Sequence, residues 1–259
     1  MAIDFGPQFF GATPFLRARA PAVGTTELNV YNVAQAIRWA TVFDTGYQLD
    51  LSSSSAADVN TSGTGAWTVE IYGLDKDFNP LRETIALNGQ TKITTVNSFR
   101  RVFEVVVQSA GTGFQNAGDI YIYKTGTGGT ITAGVPTTLT GVAVKMLATG
   151  NYGLSGLYTI PNGKKMALVG LGITCRAQPG TLYLQHGFPT FGPMSWHNNL
   201  VYPDLKIDYT PANPYVLQTD LNNPLLVLLA GEDIYFTAVC AAAGGFISVW
   251  ADFQQMNNN

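Results

Sequence analysis

Charge is what this 259-residue chain has least of. Lys plus Arg number 14 and Asp plus Glu 17, so charged residues make up 12% of the sequence, about half the share of an ordinary globular chain. The formal net charge of −3 excludes a protein that binds nucleic acid by electrostatics, because that needs a basic footprint. Long apolar runs are missing too. None approaches the roughly 18–20 residues of a membrane-spanning helix, and the N-terminus lacks the layout of a secretory signal. The expected partners therefore include no nucleic acid and no membrane. Two cysteines, Cys175 and Cys240, cannot form the framework of a disulfide scaffold. Both sit in apolar runs and read as small buried thiols, which would pair only if neighbouring strands met in an oxidising compartment. Histidine is as scarce, with His186 and His197 alone. No C-x-x-C or H-x-x-x-H spacing joins these four residues into a zinc site.

The residues that catalysis needs are also thin. There is no G-x-S-x-G elbow for a hydrolase nucleophile, and Ser195 beside His197 in a loop is no catalytic arrangement. The run TGTGGT at 125–130 is followed by neither Lys-Ser nor a helix pattern, so it is a turn and not a phosphate cradle. Asp75, Asp77 and Asn79 have the D-x-D-x-N spacing of a calcium loop, but Pro80 stands where the sixth position needs Gly and Ala86 where the twelfth needs Glu. A solvated β-turn with Asx caps explains the same residues. No pair of carboxylates is marked out for glycoside hydrolysis. The expectation is a protein that is not an enzyme and holds no cofactor and no metal.

What the chain has in place of charge is small and uncharged polar residues, with 28 Gly, 13 Pro and a matching wealth of Thr, Ser and Asn. Short apolar runs alternate with turn clusters. The clearest is Trp67–Tyr72 (WTVEIY), with β-branched residues at 68, 69 and 71. Further strands are expected at Glu83–Leu87, Thr91–Thr95, Phe99–Val107, Asp119–Tyr123, Gly141–Leu147, Leu157–Ile160, Lys165–Thr174, Thr181–Gln185, Tyr215–Gln218, Leu225–Leu229, Asp233–Val239 and Phe246–Phe253. Asn88-Gly89 and Asn162-Gly163 read as two-residue hairpin turns. No capped, long helical pattern occurs, and no fibrous repeat.

Residues 1–24 differ from the rest. Prolines at 7, 14 and 21 interrupt a segment that carries Phe5, Phe9, Phe10 and Phe15, then Arg17 and Arg19. A disordered tail is usually poor in aromatics, so this segment reads as an extended arm that docks its rings on a surface, of its own domain or of a neighbour. Phe5, Phe9, Phe10, Phe15, Arg17 and Arg19 are its candidate partner-binding residues. At 186–214, prolines at 189, 193, 203, 211 and 214 mark a long loop, and loops of that length usually have a function. The stretch 183–202 (YLQHGFPTFGPMSWHNNLVY) is a candidate aromatic platform for a glycan. Ala117-Gly118-Asp119-Ile120-Tyr121 is echoed by Ala230-Gly231-Glu232-Asp233-Ile234-Tyr235. The echo fits the same strand recurring in two similar units. The fold class is therefore all-β, with two β-sandwich or jelly-roll-like units, 25–150 and 151–259, behind an N-terminal arm.

The run TSGTGAWTVEIYGLDKDFNPLRETIALNGQT at 61–91 and its continuation TTVNSFRRVFEVVVQSAGTGFQNAGDIYIY to 123 resemble a type of virion protein from tailed bacteriophages, including marine and cyanobacterial phages. YTIPNGKK at 158–165 and AGEDIYFTA at 230–238 are similar to later pieces of that type. The resemblance covers about two thirds of the chain and leaves out the N-terminal arm and the 186–214 loop. It implies a structural protein on the capsid surface of a virion, made in the host cytoplasm. The role expected is capsid decoration, or cement. The partners would be the major capsid protein and further copies of the chain, most simply a homotrimer. The alternative is a tail- or capsid-borne adsorption protein that binds a receptor or glycan. An arm that clamps the capsid predicts that truncating 1–24 abolishes capsid binding while the β body still folds.

Overall fold

A computed structural model describes residues 15–23, 28–29, 45–139, 141–187, 205–211, 215–218 and 224–256. The described residues form strands, turns and bends, with no helix among them. First in the chain are β1 (Phe15–Val23) and β2 (Leu28–Asn29). Next come β3 (Leu49–Ser53), β4 (Ala66–Leu74), β5 (Pro80–Ala86), β6 (Ile93–Thr94), β7 (Arg101–Ala110), β8 (Ile120–Lys124), β9 (Ile131–Thr132), β10 (Val135–Pro136), β11 (Val142–Met146) and β12 (Tyr152–Leu154). The last group is β13 (Leu157–Thr159), β14 (Lys165–Arg176), β15 (Gly180–Gly187), β16 (Leu205–Tyr209), β17 (Tyr215–Gln218), β18 (Leu226–Leu229), β19 (Asp233–Cys240) and β20 (Gly245–Gln255).

The chain divides into two all-β, sandwich-like units, and the division falls between Ser155 and Gly156. The first unit holds two four-stranded antiparallel sheets, β11-β8-β3-β6 and β12-β7-β4-β5, with the small hairpin β9-β10 beside them. The second holds β13-β19-β15-β16, with β2 also on β19, and β1-β20-β14-β17, with β18 also on β14. Two boundaries thus differ from the 25–150 and 151–259 expectation. Tyr152–Leu154 pairs with β7 of the first unit, and Leu28–Asn29 pairs with β19 of the second.

Alternation decides which side chains are inside. Along β20, Ile247, Val249, Ala251 and Phe253 are buried, and the residues between them are half-exposed. In the second unit Phe253 stacks on Tyr158, with ring centroids 5.3 Å apart. In the first unit Leu49, Leu51, Val69, Ile71, Phe103 and Ile122 form part of a core drawn from both sheets. β14 is buried on both faces from Met166 to Ile173, which is why its sequence reads as a continuous apolar run instead of an alternating one.

The two Asn-Gly turns do not close hairpins between the strands that flank them. β5 pairs with β4, through the turn at 75–79, and β6 pairs with β3. Asn88-Gly89 therefore carries the chain from one sheet to the other. Gly89 supplies a φ of +58° that a side chain would resist, its amide donates to the Asp58 carbonyl at 2.7 Å, and its carbonyl accepts from the Ser53 amide at 3.0 Å. Asn162-Gly163 does the same, because β13 pairs with β19 and β14 with β20. Within the Gly/Thr-rich segment, Ala133-Gly134 (φ +47° and +77°) turns the β9-β10 hairpin.

The residues expected to form an arm include a strand of the second unit's own sheet. β1 pairs along β20, with Leu16 opposite Ala251, Ala18 opposite Val249 and Ala20 opposite Ile247. Those partners are the buried row of β20. The alternation L-R-A-R-A at 16–20 is thus the period-two pattern of a strand. Phe5, Phe9 and Phe10 lie outside the described residues. The expected 186–214 loop is also corrected at both ends. His186 and Gly187 belong to β15, and Leu205–Tyr209 returns as β16 beside it, with Gly180 opposite Tyr209 and Leu184 opposite Leu205.

One buried carboxylate ties the loops of the first unit together. Asp58 is fully buried. Its Oδ1 accepts the amides of Ala66 and Ala117, both at 2.7 Å, and its Oδ2 accepts the Ser53 hydroxyl at 2.5 Å and the Gly118 amide at 2.9 Å.

Two outcomes follow. Asp58→Ala leaves three backbone donors without acceptors, at about 1–3 kcal/mol for each that stays buried, so denaturant unfolding should report a loss of about 3 kcal/mol or more. Deleting residues 1–23 removes an edge strand over the second unit's core, so the midpoint of thermal unfolding should fall. An unchanged midpoint would contradict the pairing of β1 with β20.

Candidate functional site

Two surfaces carry the chemistry available for recognition. The first is the outer face of the β1-β20-β14-β17 sheet. On β20 the outward row is Phe246, Ser248, Trp250 and Asp252, all half-exposed. Directly opposed residues of an antiparallel pair share a face, so the register places Phe15 opposite Asp252, Arg17 opposite Trp250 and Arg19 opposite Ser248. On the other side of β20, Gly172 lies opposite Trp250, Thr174 opposite Ser248 and Arg176 opposite Phe246. The Arg176 guanidinium carbon is 5.9 Å from the Phe246 ring centroid. Gly172 is a glycine for a reason: a Cβ there would come within 2.1 Å of the Trp250 indole. The ring therefore rests against bare backbone. Val216 of β17, opposite Gly172, is 58% exposed and extends the row. The described side chains of the face are the Phe246 and Trp250 rings, Arg176 and the acid Asp252, and the register brings the positions of Arg17 and Arg19 beside them.

The second surface is built from two loops of the first unit, 111–118 and 147–152. They are knitted by reciprocal asparagines. The Asn116 amide donates to Asn151 Oδ1 at 3.2 Å, and the Asn151 amide donates to Asn116 Oδ1 at 2.9 Å. Asn116 Nδ2 also donates to the carbonyls of Gly118 (2.8 Å) and Leu147 (2.7 Å), and Asn151 Nδ2 to the Phe114 carbonyl at 3.2 Å. Phe114, Thr149 and Asn151 hold φ of +57°, +62° and +58°, each at a cost on the order of 1 kcal/mol. Phe114 is 83% exposed at the tip, with Leu147 and Tyr152 exposed on the adjoining loop.

Beside these loops Lys145 Nζ meets Asp119 Oδ2 at 2.7 Å, and the Ala148 amide donates to Asp119 Oδ1 at 2.9 Å. Burial opposes the charge on Asp119, but the bonds from Lys145 and Ala148 outweigh it and hold its carboxyl below the ordinary range. Burial likewise opposes the charge on Lys145, and Asp119 outweighs it, so the ammonium is held above its usual pKa.

The other residues singled out in the sequence have structural roles. Asp75 Oδ1 accepts the amides of Asp77 (2.8 Å) and Asn79 (2.9 Å), and Oδ2 accepts Asn79 Nδ2 at 3.2 Å. That is an Asx-capped turn whose carboxylate is already occupied by its own loop. The Arg100 guanidinium lies 4.1 Å over the Phe78 ring of the same turn. Among the described residues no group of three His, Cys, Asp or Glu could hold a metal ion. Cys175 and Cys240 are free thiols, and the buried Cys240 meets the Tyr209 hydroxyl at 3.2 Å. Burial, reinforced by Cys240, pushes the Tyr209 hydroxyl well above its usual pKa. Of the aromatic stretch 183–202, Tyr183 is half-buried on β15, and Phe188, Phe191, Trp196, His197 and Tyr202 lie outside the described residues. The echoed segments become β8 and β19, each an interior strand of its sheet. The echo stops there, because β8 is joined in its own sheet by β11, whereas β19 is followed by β20 of the opposite sheet.

No family model matches the chain, and no curated protein matches it. Among solved structures the chain is similar to the crystal structure of the infectious bursal disease virus VP2 subviral particle, at 11% identity over 95% of this chain and 76% of that one, with a TM-score of 0.14. A likeness at that score carries no argument about fold or role.

The Asp119 carboxyl supplies a pH readout. Its pKa is depressed from the ordinary 3.8, so its stabilisation is present above that value and is lost as pH falls through the lower, folded one. Hydrogen exchange of the Ala148 amide, corrected for its intrinsic pH dependence, should keep its protection at pH 5 and lose it on acidification below 3.8. Asp119→Asn should remove the pH dependence.

Proposed function

We propose that this chain is a structural virion protein that decorates the capsid of a tailed bacteriophage, binding across major capsid protein subunits as a homo-oligomer, most simply a homotrimer. The observation that carries the reading is the outer face of the second unit's sheet. Tryptophan, phenylalanine and arginine are the types that dominate the energetics of protein interfaces. Here Trp250, Phe246 and Arg176 share one face with the register positions of Phe15, Arg17 and Arg19. The register positions of Arg17 and Arg19 beside Arg176, with Asp252 as the acid of the row, suit an acidic patch on the partner. The resemblance of 61–123 and of the later strands to phage virion proteins supports the same role.

This reading replaces the free clamp with a sheet face. Phe15, Arg17 and Arg19 would act from a strand already ordered in the body, and an ordered strand loses less entropy on docking than a loose arm. The residues that make adhesion also hold the unit together, so folding and binding cannot be separated by truncation.

Co-sedimentation with expanded, undecorated capsids tests the reading. The full chain should bind saturably at a fixed copy number per capsid. Arg176→Glu, an exposed change far from the core, should weaken binding at least tenfold without moving the unfolding midpoint, and raised salt should weaken the parent protein in the same sense. Absence of saturable binding by the full chain would overturn the proposal.

A further inference from the structure

The loop platform of the first unit is not used by the sheet face and lies in the other unit. It has three properties that belong together. It is uncharged: neither GTGFQNAG at 111–118 nor LATGNY at 147–152 contains an ionisable side chain other than the tyrosine hydroxyl, and the charges beside it are committed, the buried Asp58 to the Ala117 and Gly118 amides and Asp119 and Lys145 to each other at 2.7 Å. It offers rings: Phe114 is 83% exposed and Tyr152 48%. It also has free hydrogen-bonding side chains, because Thr112, Gln115 and Thr149 are exposed and their side chains make no hydrogen bond within the described protein, the Thr149 amide alone donating to the Asn116 carbonyl at 2.9 Å. The amides of Asn116 and Asn151 are committed to the loops themselves, so the platform is held rigid from beneath while its upper groups are left to a ligand.

We infer that this platform binds a neutral carbohydrate. A sugar ring presents an apolar C–H face and a rim of hydroxyls that both donate and accept. The C–H face covers an exposed ring of the Phe114 or Tyr152 kind, and the hydroxyls match a primary amide and two threonine hydroxyls, each of which also donates and accepts. The absence of ionisable groups leaves nothing to pair with a sulfate or carboxylate, so an anionic glycan has no partner here. Phe114 is held at a positive φ, and that strained geometry is fixed by the Asn151–Phe114 bond. Rigidity of this kind lowers the entropy lost on binding a weak, shallow ligand.

The test is an immobilised panel of neutral hexasaccharides built from glucose, galactose, mannose or xylose, with oligogalacturonate as the anionic control, probed with the full chain. At least one neutral member should bind, and oligogalacturonate should not. Phe114→Gly removes the ring and relieves the positive φ, so it should fold at least as well as the parent, yet weaken binding at least tenfold. Gln115→Ala and Tyr152→Ala should weaken the same member. Capsid co-sedimentation of Phe114→Gly should be unchanged, which separates this inference from the capsid reading. No binding to any neutral member, stronger binding to oligogalacturonate, or binding that survives Phe114→Gly would overturn the inference. So would a change of sedimentation coefficient in Phe114→Gly, because the platform would then be a contact between copies of the chain.

Discussion

The carboxylate of Asp58 is the tie on which the loop surface of the first unit depends. It accepts bonds from Ser53 at the end of β3, from Ala66 at the start of β4, and from Ala117 and Gly118 before β8. Those donors lie in three separate stretches of chain, so one acid fixes three loops with respect to each other. Asn116 sits next to two of the donors and passes the order on to 147–151. Other acids act in the same way. Asp50, almost fully buried, accepts from Lys92 at 2.9 Å, Thr94 at 2.6 Å and Thr125 at 3.2 Å. Burial opposes its charge, but those bonds prevail and its carboxyl is held below the ordinary range. In the second unit Asp233 accepts from Thr159, and Glu232 from the Leu229 amide at 2.6 Å. A chain with few charges places several of them inside, where each satisfies backbone or hydroxyl donors that would otherwise be buried unpaired.

Much of this fold was legible because strands announce themselves by alternation. WTVEIY and DIYIY lie within or overlap strands β4 and β8, and most of the expected strands are found within a few residues of their expected ends. Strand partners were not legible. The Asn-Gly dipeptide specifies a local reversal through one glycine at positive φ, and nothing in the dipeptide says which sheet receives the next strand. In a sandwich that choice is made by which apolar face must be covered. β6 has Ile93 against Leu51 of β3, and that pairing takes the strand away from β5. The N-terminal segment failed for another reason. Its prolines and phenylalanines suggest an arm, and the alternation of Leu16, Ala18 and Ala20 with Arg17 and Arg19 is a weak strand signal because alanine is small and barely apolar.

The loop platform was the least legible part. GTGFQNAG reads as a polar turn, and a phenylalanine within it reads as an anchor buried under the loop. Only the folded chain reverses that reading, because Phe114 sits at a positive φ and its ring is exposed at the loop tip. The reciprocal pair of Asn116 and Asn151 spans 35 positions, and no local pattern links two asparagines at such a distance. The sheet face was half visible. Phe15, Arg17 and Arg19 were singled out by type, but their companions Trp250 and Arg176 lie more than 150 residues away in the chain and join them only through the register of β20.

The same scarcity of charge explains how long open sheet edges coexist with a sticky composition. An unpaired edge invites another strand, and a charged or proline-bearing edge discourages it. Among the described sheets, three edge strands carry two charges each. β1 carries Arg17, Arg19 and Pro21; β5 carries Pro80, Arg82 and Glu83; β16 carries Lys206 and Asp208. Interior strands β8, β14 and β20 have long stretches with none. These three edges are thus protected and the loop platform is left neutral, so strand addition is discouraged there while contact through side chains remains open. For the capsid-binding role proposed above, that division matters. Strand addition tolerates slips of register, whereas a rigid face of rings, amides and arginines fits in one way.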